Sequence, residues 1–190
     1  MNIYLKNQQP GFKSILERLK TKNIMAYDSN RLVEKISTTY LDTPFSIEKI
    51  NLDFLFDYHI FPENIMSFLS EWHTENRTMQ PGDTILQQVY LPPIKRLSQK
   101  IIFGVRIKEI IDLPLKKGFS YQTLDGHVEK GISSFTVEQN KDQQLIFKIH
   151  TFSRPATLLT RILGPIFSIP YQHYCTNAAL KNVKRQIALQ

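Results

Sequence analysis

Chemistry in this chain is suggested first by His127 and Glu129, two residues apart in Gly126-His127-Val128-Glu129. In extended backbone, residues i and i+2 face the same side. Imidazole and carboxylate can then meet, and a histidine oriented by a glutamate can act as a general base. The pair follows Asp125-Gly126, a strong turn signal, and polar groups beside turns also commonly cap backbone. Arg106 and Arg154 form a second pair. Arg106 sits within an apolar alternating stretch, and Arg154 stands between Ser153 and Pro155, where a helical pattern begins. Either guanidinium could grip a carboxylate or phosphate with two hydrogen bonds. Ser153 and the following helix start would add donors for an anion. Either arginine could equally pair with a structural acid such as Glu109, Glu129 or Asp83.

Other chemistries find little in the sequence. Cys175 and His173 are two residues apart, which on a helix turns them away from one another, so Cys175 reads as a packing residue. There is no G-x-S-x-G elbow. The five histidines are scattered, with neither H-E-x-x-H nor C-x-x-C, and no metal site is expected. Phosphate-binding loops of the G-x-x-x-x-G-K-[ST] or G-x-G-x-x-G type are missing too, and no cofactor is expected.

The elements that must position these residues follow from apolar spacing. Phe12, Ile15, Leu16 and Leu19 recur at helical intervals just after Pro10. Residues 23–50 are mixed and polar, with Thr38-Thr39-Tyr40 the only strand-like piece. The run Ile50 to Ile60 fits a strand, and Pro62-Glu63 opens a helix carrying Ile65, Met66, Phe68, Leu69 and Trp72. From residue 80 the period falls to two. Strands are expected at Thr84–Leu91, Lys100–Ile111, Phe119–Leu124, Ser133–Gln139 and Leu145–Phe152, joined by short turns into an antiparallel meander. Leu158, Leu159, Ile162, Leu163, Ile166 and Phe167 then give a helical segment interrupted at Gly164-Pro165, and a second helical piece runs from about Tyr171 to Leu189. A curved antiparallel sheet needs a cover for its apolar face. A long C-terminal helix lying across the concave side supplies one, and the expected fold is α+β of the helix-grip type. Residues 1–50 would form an N-terminal helical or irregular extension and residues 51–190 the helix-grip domain.

Charge is distributed unevenly along the 190 residues. The net charge is +7, yet residues 96–190 carry 14 Lys and Arg against 6 Asp and Glu, and no acidic residue follows Asp142. Such a surface attracts anionic partners. An anionic lipid surface is one candidate, with nucleic acid the weaker option. Hydrophobic content of 42% excludes a mainly disordered chain, and one cysteine excludes a disulfide framework. The N-terminus has no secretory signal pattern, and the most apolar window, Ala156 to Tyr171, is too short and broken to span a bilayer. A cytoplasmic setting is expected.

The stretch Gly118-Phe119-Ser120-Tyr121-Gln122-Thr123-Leu124-Asp125-Gly126-His127-Val128-Glu129-Lys130-Gly131 closely resembles the family catalogued as domain of unknown function 1990, also listed as uncharacterised protein family 0548. Gly82-Asp83-Thr84, Phe103-Gly104-Val105-Arg106-Ile107 and Phe152-Ser153-Arg154-Pro155-Ala156 add to the resemblance, which covers about Leu52 to Ala188. After Gly131 the family tends to continue with acidic residues, where Ile132 and Ser133 stand here. The family is similar in layout to START-like helix-grip proteins, which implies a cavity between sheet and helix but no established reaction. The first expectation is therefore a binder of a hydrophobic or amphipathic small molecule. Phe103, Tyr121, Phe147 and Leu159 would be wall positions, and Arg106, His127, Ser153 and Arg154 polar contacts. The alternatives are a cyclase- or hydrolase-like enzyme using His127 and Glu129, and a basic surface module.

Overall fold

Eight antiparallel strands form the frame of the computed structural model, which describes residues 2–93, 98–156 and 169–190. They are β1 (Asn2–Tyr4), β2 (Val33–Leu41), β3 (Met66–Ser70), β4 (Thr84–Leu91), β5 (Gln99–Leu113), β6 (Lys116–Thr123), β7 (Glu129–Gln139) and β8 (Leu145–Pro155). From β3 to β8 each strand pairs with its successor, so the expected meander is present and gains β3 at one end. β2 closes the other end by pairing with β8 along its full length, from Val33 opposite Ser153 to Leu41 opposite Leu145. β1 lies beside Lys100–Ile102 of β5, where β6 does not reach. The first 50 residues thus supply two strands of the sheet. Val33, Ile36, Thr38, Thr39 and Tyr40 give β2 its β-branched and aromatic character.

Among the described residues four α-helices accompany the sheet: α1 (Phe12–Lys20), the short α2 (Asp53–Phe56) and α3 (Glu71–Glu75), and the C-terminal α4 (Ile169–Ala188). The architecture is α+β, an open antiparallel sheet with a C-terminal helix, as expected. One face of the sheet carries Val105, Ile107, Phe119, Phe135, Val137, Phe147 and Ile149. They pack with Ala179, Val183 and Ile187 of α4 and with Leu52, Leu55, Tyr58, Ile60 and Trp72 from the segment before β4. On the other face Phe12, Leu16 and Leu19 of α1 pack against Leu86, Ile102 and Leu124. A nine-residue helix is marginal alone, and this apolar seam holds it.

Two local expectations are corrected. The run Ile50–Ile60 is not a strand. Asn51 Oδ1 accepts the Asp53 amide at 2.7 Å and starts a helical turn, and Leu52 and Leu55 then sit three apart on its buried side. The helix expected from Pro62 to Trp72 is instead β3 followed by α3. Phe68 packs against the main core and Leu69 against the α1 cluster. A strand covered on both faces carries apolar residues without alternation, and so imitates a helical stripe. Ser70 ends it, its hydroxyl accepting the His73 amide as the cap of α3. The expected helical segment from Leu158 to Phe167, including Leu159, lies outside the described residues.

Candidate functional site

Between α4 and the end of the sheet formed by β2, β8, β7 and β6 lies a cavity of about 200 Å³. Strand register builds its floor. Lys35, Thr151, Ser133 and Tyr121 stand opposite one another on four successive strands, and Ser37, Ile149 and Phe135 form the next row. Phe61 closes one wall, and α4 contributes Gln172, His173, Cys175 and Thr176. The interior is therefore amphipathic, aromatic at one side and hydroxyl-rich at the other.

Among the described residues Glu129 is the one carboxylate lining this cavity. Its Oε2 accepts the Ser153 hydroxyl at 3.0 Å and its Oε1 accepts the Gln172 side-chain amide. The Gln172 carbonyl in turn accepts Lys35 Nζ at 3.1 Å. A lysine can only donate and a carboxylate only accept, so the amide oxygen must face Lys35 and its nitrogen Glu129. Ser133 Oγ and Thr151 Oγ1 share a further hydrogen bond of 3.0 Å. Gly131 lies between Glu129 and Ser133 on the same face of β7. A β-carbon there would come within 1.9 Å of the Phe152 carbonyl oxygen, and φ is +153°. Only glycine permits this approach of β7 to β8, which accounts for the glycine two residues beyond Glu129.

Burial governs the ionisable groups around the cavity. It raises the Tyr121 phenol, against hydrogen bonds from Tyr58, Gln87 and Ser133 that act in the opposite sense. Burial likewise pushes the Cys175 thiol up to about 11, with a hydrogen bond to Tyr171 opposing. In both cases burial disfavours the charged form, and for Cys175 that form is the nucleophilic thiolate.

The sequence-predicted residues divide around this cavity. Tyr121, Glu129 and Ser153 line it. Arg106 and Arg154 do not. Successive residues of a strand face opposite sides, and Arg154 follows Ser153 on β8. Arg106 lies on the α1 side, where Nη2 donates to the carbonyls of Lys20 at 2.8 Å and Leu19 at 3.4 Å and to Thr84 Oγ1 at 3.2 Å. It caps the C-terminal end of α1 rather than pairing with an acid. Phe147 is fully buried in the main core, one row beyond Ile149 on the same face of β8, and does not line the cavity. Phe103 packs its ring 4.1 Å from that of His127. His127 Nδ1 lies 2.8 Å from the backbone oxygen and 3.0 Å from the backbone nitrogen of Glu129. The imidazole therefore meets the main chain of Glu129, while the carboxylate turns to Ser153 and Gln172. Burial lowers the His127 ring to about 4, against that backbone contact. Ser133 lines the cavity, and Ile132, its neighbour on β7, faces the other side of the strand.

Sequence reasoning missed Lys35, Ser37, Phe61, Ser133, Thr151 and Gln172. Extending the inward faces Phe135–Val137 and Phe147–Ile149 by one step would have placed Ser133 and Thr151 inward, an unusual position for polar groups. Gln172 lies three residues before Cys175, on its side of the helix. Lys35 and Ser37 gave no signal, because nothing local says which strand β2 joins. Among the described residues no group of three or more His, Cys, Asp and Glu is placed to hold a metal ion. No described helix is long and apolar enough to cross a membrane.

Comparison with known proteins agrees with this architecture. A crystal structure of a hypothetical protein from Helicobacter pylori superposes with a TM-score of 0.58 at 9% identity, covering 88% of this chain and 98% of that one. A protein of Deinococcus radiodurans described as a UPF0548 protein is 34% identical over 61 residues, 32% of this chain and 31% of the relative's length. The chain thus matches about a third of that curated relative. The model of the family described as domain of unknown function DUF1990 matches residues 53–182, from α2 through most of α4, and the chain belongs to the DUF1990 family.

Proposed function

We propose that this protein is a helix-grip, small-molecule-binding protein whose amphipathic ligand occupies the cavity between α4 and the β2–β8–β7–β6 end of the sheet. The observation that carries this reading is the row Lys35–Thr151–Ser133–Tyr121 lining the cavity, with Lys35 exposed at its edge-strand end and Glu129 further along β7 in the same lining. Four successive strands turn polar side chains into a space that a sheet-and-helix core would ordinarily fill with apolar ones. Phe61 and Phe135 supply the apolar complement. At about 200 Å³ the cavity is smaller than the roughly 300–1,000 Å³ of sites for drug-sized molecules, so the ligand is a compact one. The geometry favours binding over acid–base catalysis by His127 and Glu129, since the imidazole is engaged by backbone and the carboxylate by Ser153 and Gln172.

The test is an amide NMR titration with four single-ring probes of similar size: phenylethanol, phenethylamine, 3-phenylpropionate and phenylalanine. Saturable shifts at Tyr121, Ser133, Thr151 and Thr176 with any of them are expected. No saturable shift at those amides with all four overturns the reading.

A further inference from the structure

Among the described residues two opposite charges line the cavity. Lys35 comes from the edge strand β2 and Glu129 from the start of β7, with β8 between them. Among the described residues neither forms an ion pair, although both are within reach of one side chain. That side chain is Gln172, whose carbonyl faces the Lys35 ammonium and whose NH2 faces the Glu129 carboxylate. A neutral amide thus lies between a cation and an anion, with its dipole aligned to both. A carboxylate is a stronger acceptor for Lys35 than an amide oxygen, and an ammonium a stronger donor to Glu129 than an amide nitrogen. Ser153, already donating to Oε2, holds the carboxylate in place, which is the preorganisation that binding rewards. The apolar side of the same cavity, Phe61 and Phe135, lies beside these polar groups.

We propose that the ligand is a compact zwitterion of the α-amino-acid kind. Its carboxylate pairs with Lys35, its ammonium pairs with Glu129, and its apolar side chain lies on Phe61 and Phe135. The proposal rests on the cavity reading above. It goes further by fixing the charge of the occupant at both ends. A purely cationic ligand would leave Lys35 to repel it, and a purely anionic one would meet Glu129. A neutral amphipath would gain no more than Gln172 already provides. Gln172 is then the group that the ligand displaces, and it returns to bridge the two charges when the site empties.

The same four probes decide the matter. Phenylalanine is expected to bind at least about tenfold more tightly than phenethylamine, 3-phenylpropionate or phenylethanol, because each singly charged probe forgoes one charge-assisted contact. Lys35→Met should weaken phenylalanine about tenfold and leave phenethylamine no weaker. Glu129→Gln should weaken phenylalanine by a similar factor and leave 3-phenylpropionate no weaker. Amide spectra of the free variants check that the fold is kept. Lys35 is on the exposed edge strand, so its variant serves even where Glu129→Gln fails to fold. If a singly charged or neutral probe binds as tightly as phenylalanine, or if Lys35→Met leaves phenylalanine affinity unchanged, the zwitterion proposal falls and the cavity reading stands. If none of the four shifts the cavity amides, the cavity reading falls, and the proposal with it.

Discussion

Ser153 Oγ donates to Glu129 Oε2 at 3.0 Å, across the β7–β8 pair and 24 residues along the chain. The bond turns the carboxylate toward the cavity and α4. The backbone of the same residue holds the His127 ring. Two sequence neighbours that look like a catalytic couple thus serve separate ends. His127 fixes the turn into β7, and Glu129 presents a charge to the cavity. Gly131 makes this possible by letting β7 approach β8 closely enough for the Ser153 hydroxyl to reach.

Arg106 should matter for stability and not for the cavity. Its guanidinium donates to the last carbonyls of α1, those of Lys20 and Leu19, of which Leu19 also accepts the Lys22 amide, and it does so from the sheet face opposite the cavity. Arg106→Met is expected to lower unfolding free energy by about 2 kcal/mol, as for loss of hydrogen bonds to a charged group. Urea denaturation measures this. Probe affinities at the cavity should stay within twofold, and a larger loss would mean that Arg106 reaches the ligand after all.

Acid should destabilise the fold through His127. In the folded protein the ring takes up its proton only near pH 4, against an ordinary value of 6.5. Between those values the unfolded chain binds more protons than the folded one. The stability contributed by the neutral ring is fully present above pH 6.5 and is lost as pH falls toward 4. The contribution is at most about 3 kcal/mol at 1.36 kcal/mol per pH unit. Urea midpoints of wild type and His127→Gln between pH 7 and 4.5 measure it. The variant should show a shallower decline, and parallel curves would place the ring in contact with water.

Cys175 should be a slow thiol. With burial pushing it up to about 11 from an ordinary 9.0, its thiolate fraction at pH 8 is about a hundredfold below that of an unperturbed cysteine. Alkylation by iodoacetamide should be slower by a similar factor, accelerate up to pH 10, and reach the unperturbed rate in urea. A native-state rate equal to that in urea would show an open, water-filled wall at this position.

The sequence alone determined the antiparallel meander from Thr84 onward. Period-two alternation with turn residues between is a local signal, and each strand pairs with its neighbour in sequence. It also determined α1 and the C-terminal helix, whose apolar residues recur on one side. It marked Tyr121, Glu129 and Ser153, all of which line the cavity. Tertiary structure decided the rest. Phe68 and Leu69 read as a helical stripe because both faces of β3 are covered, a fact that depends on where α1 packs. Lys35 and Ser37 entered the cavity because β2, remote in sequence, joined the free edge of β8. Arg106 and Glu129 look equally functional as letters. Which faces the cavity depends on strand parity, and parity has meaning only once it is known which helix covers which face.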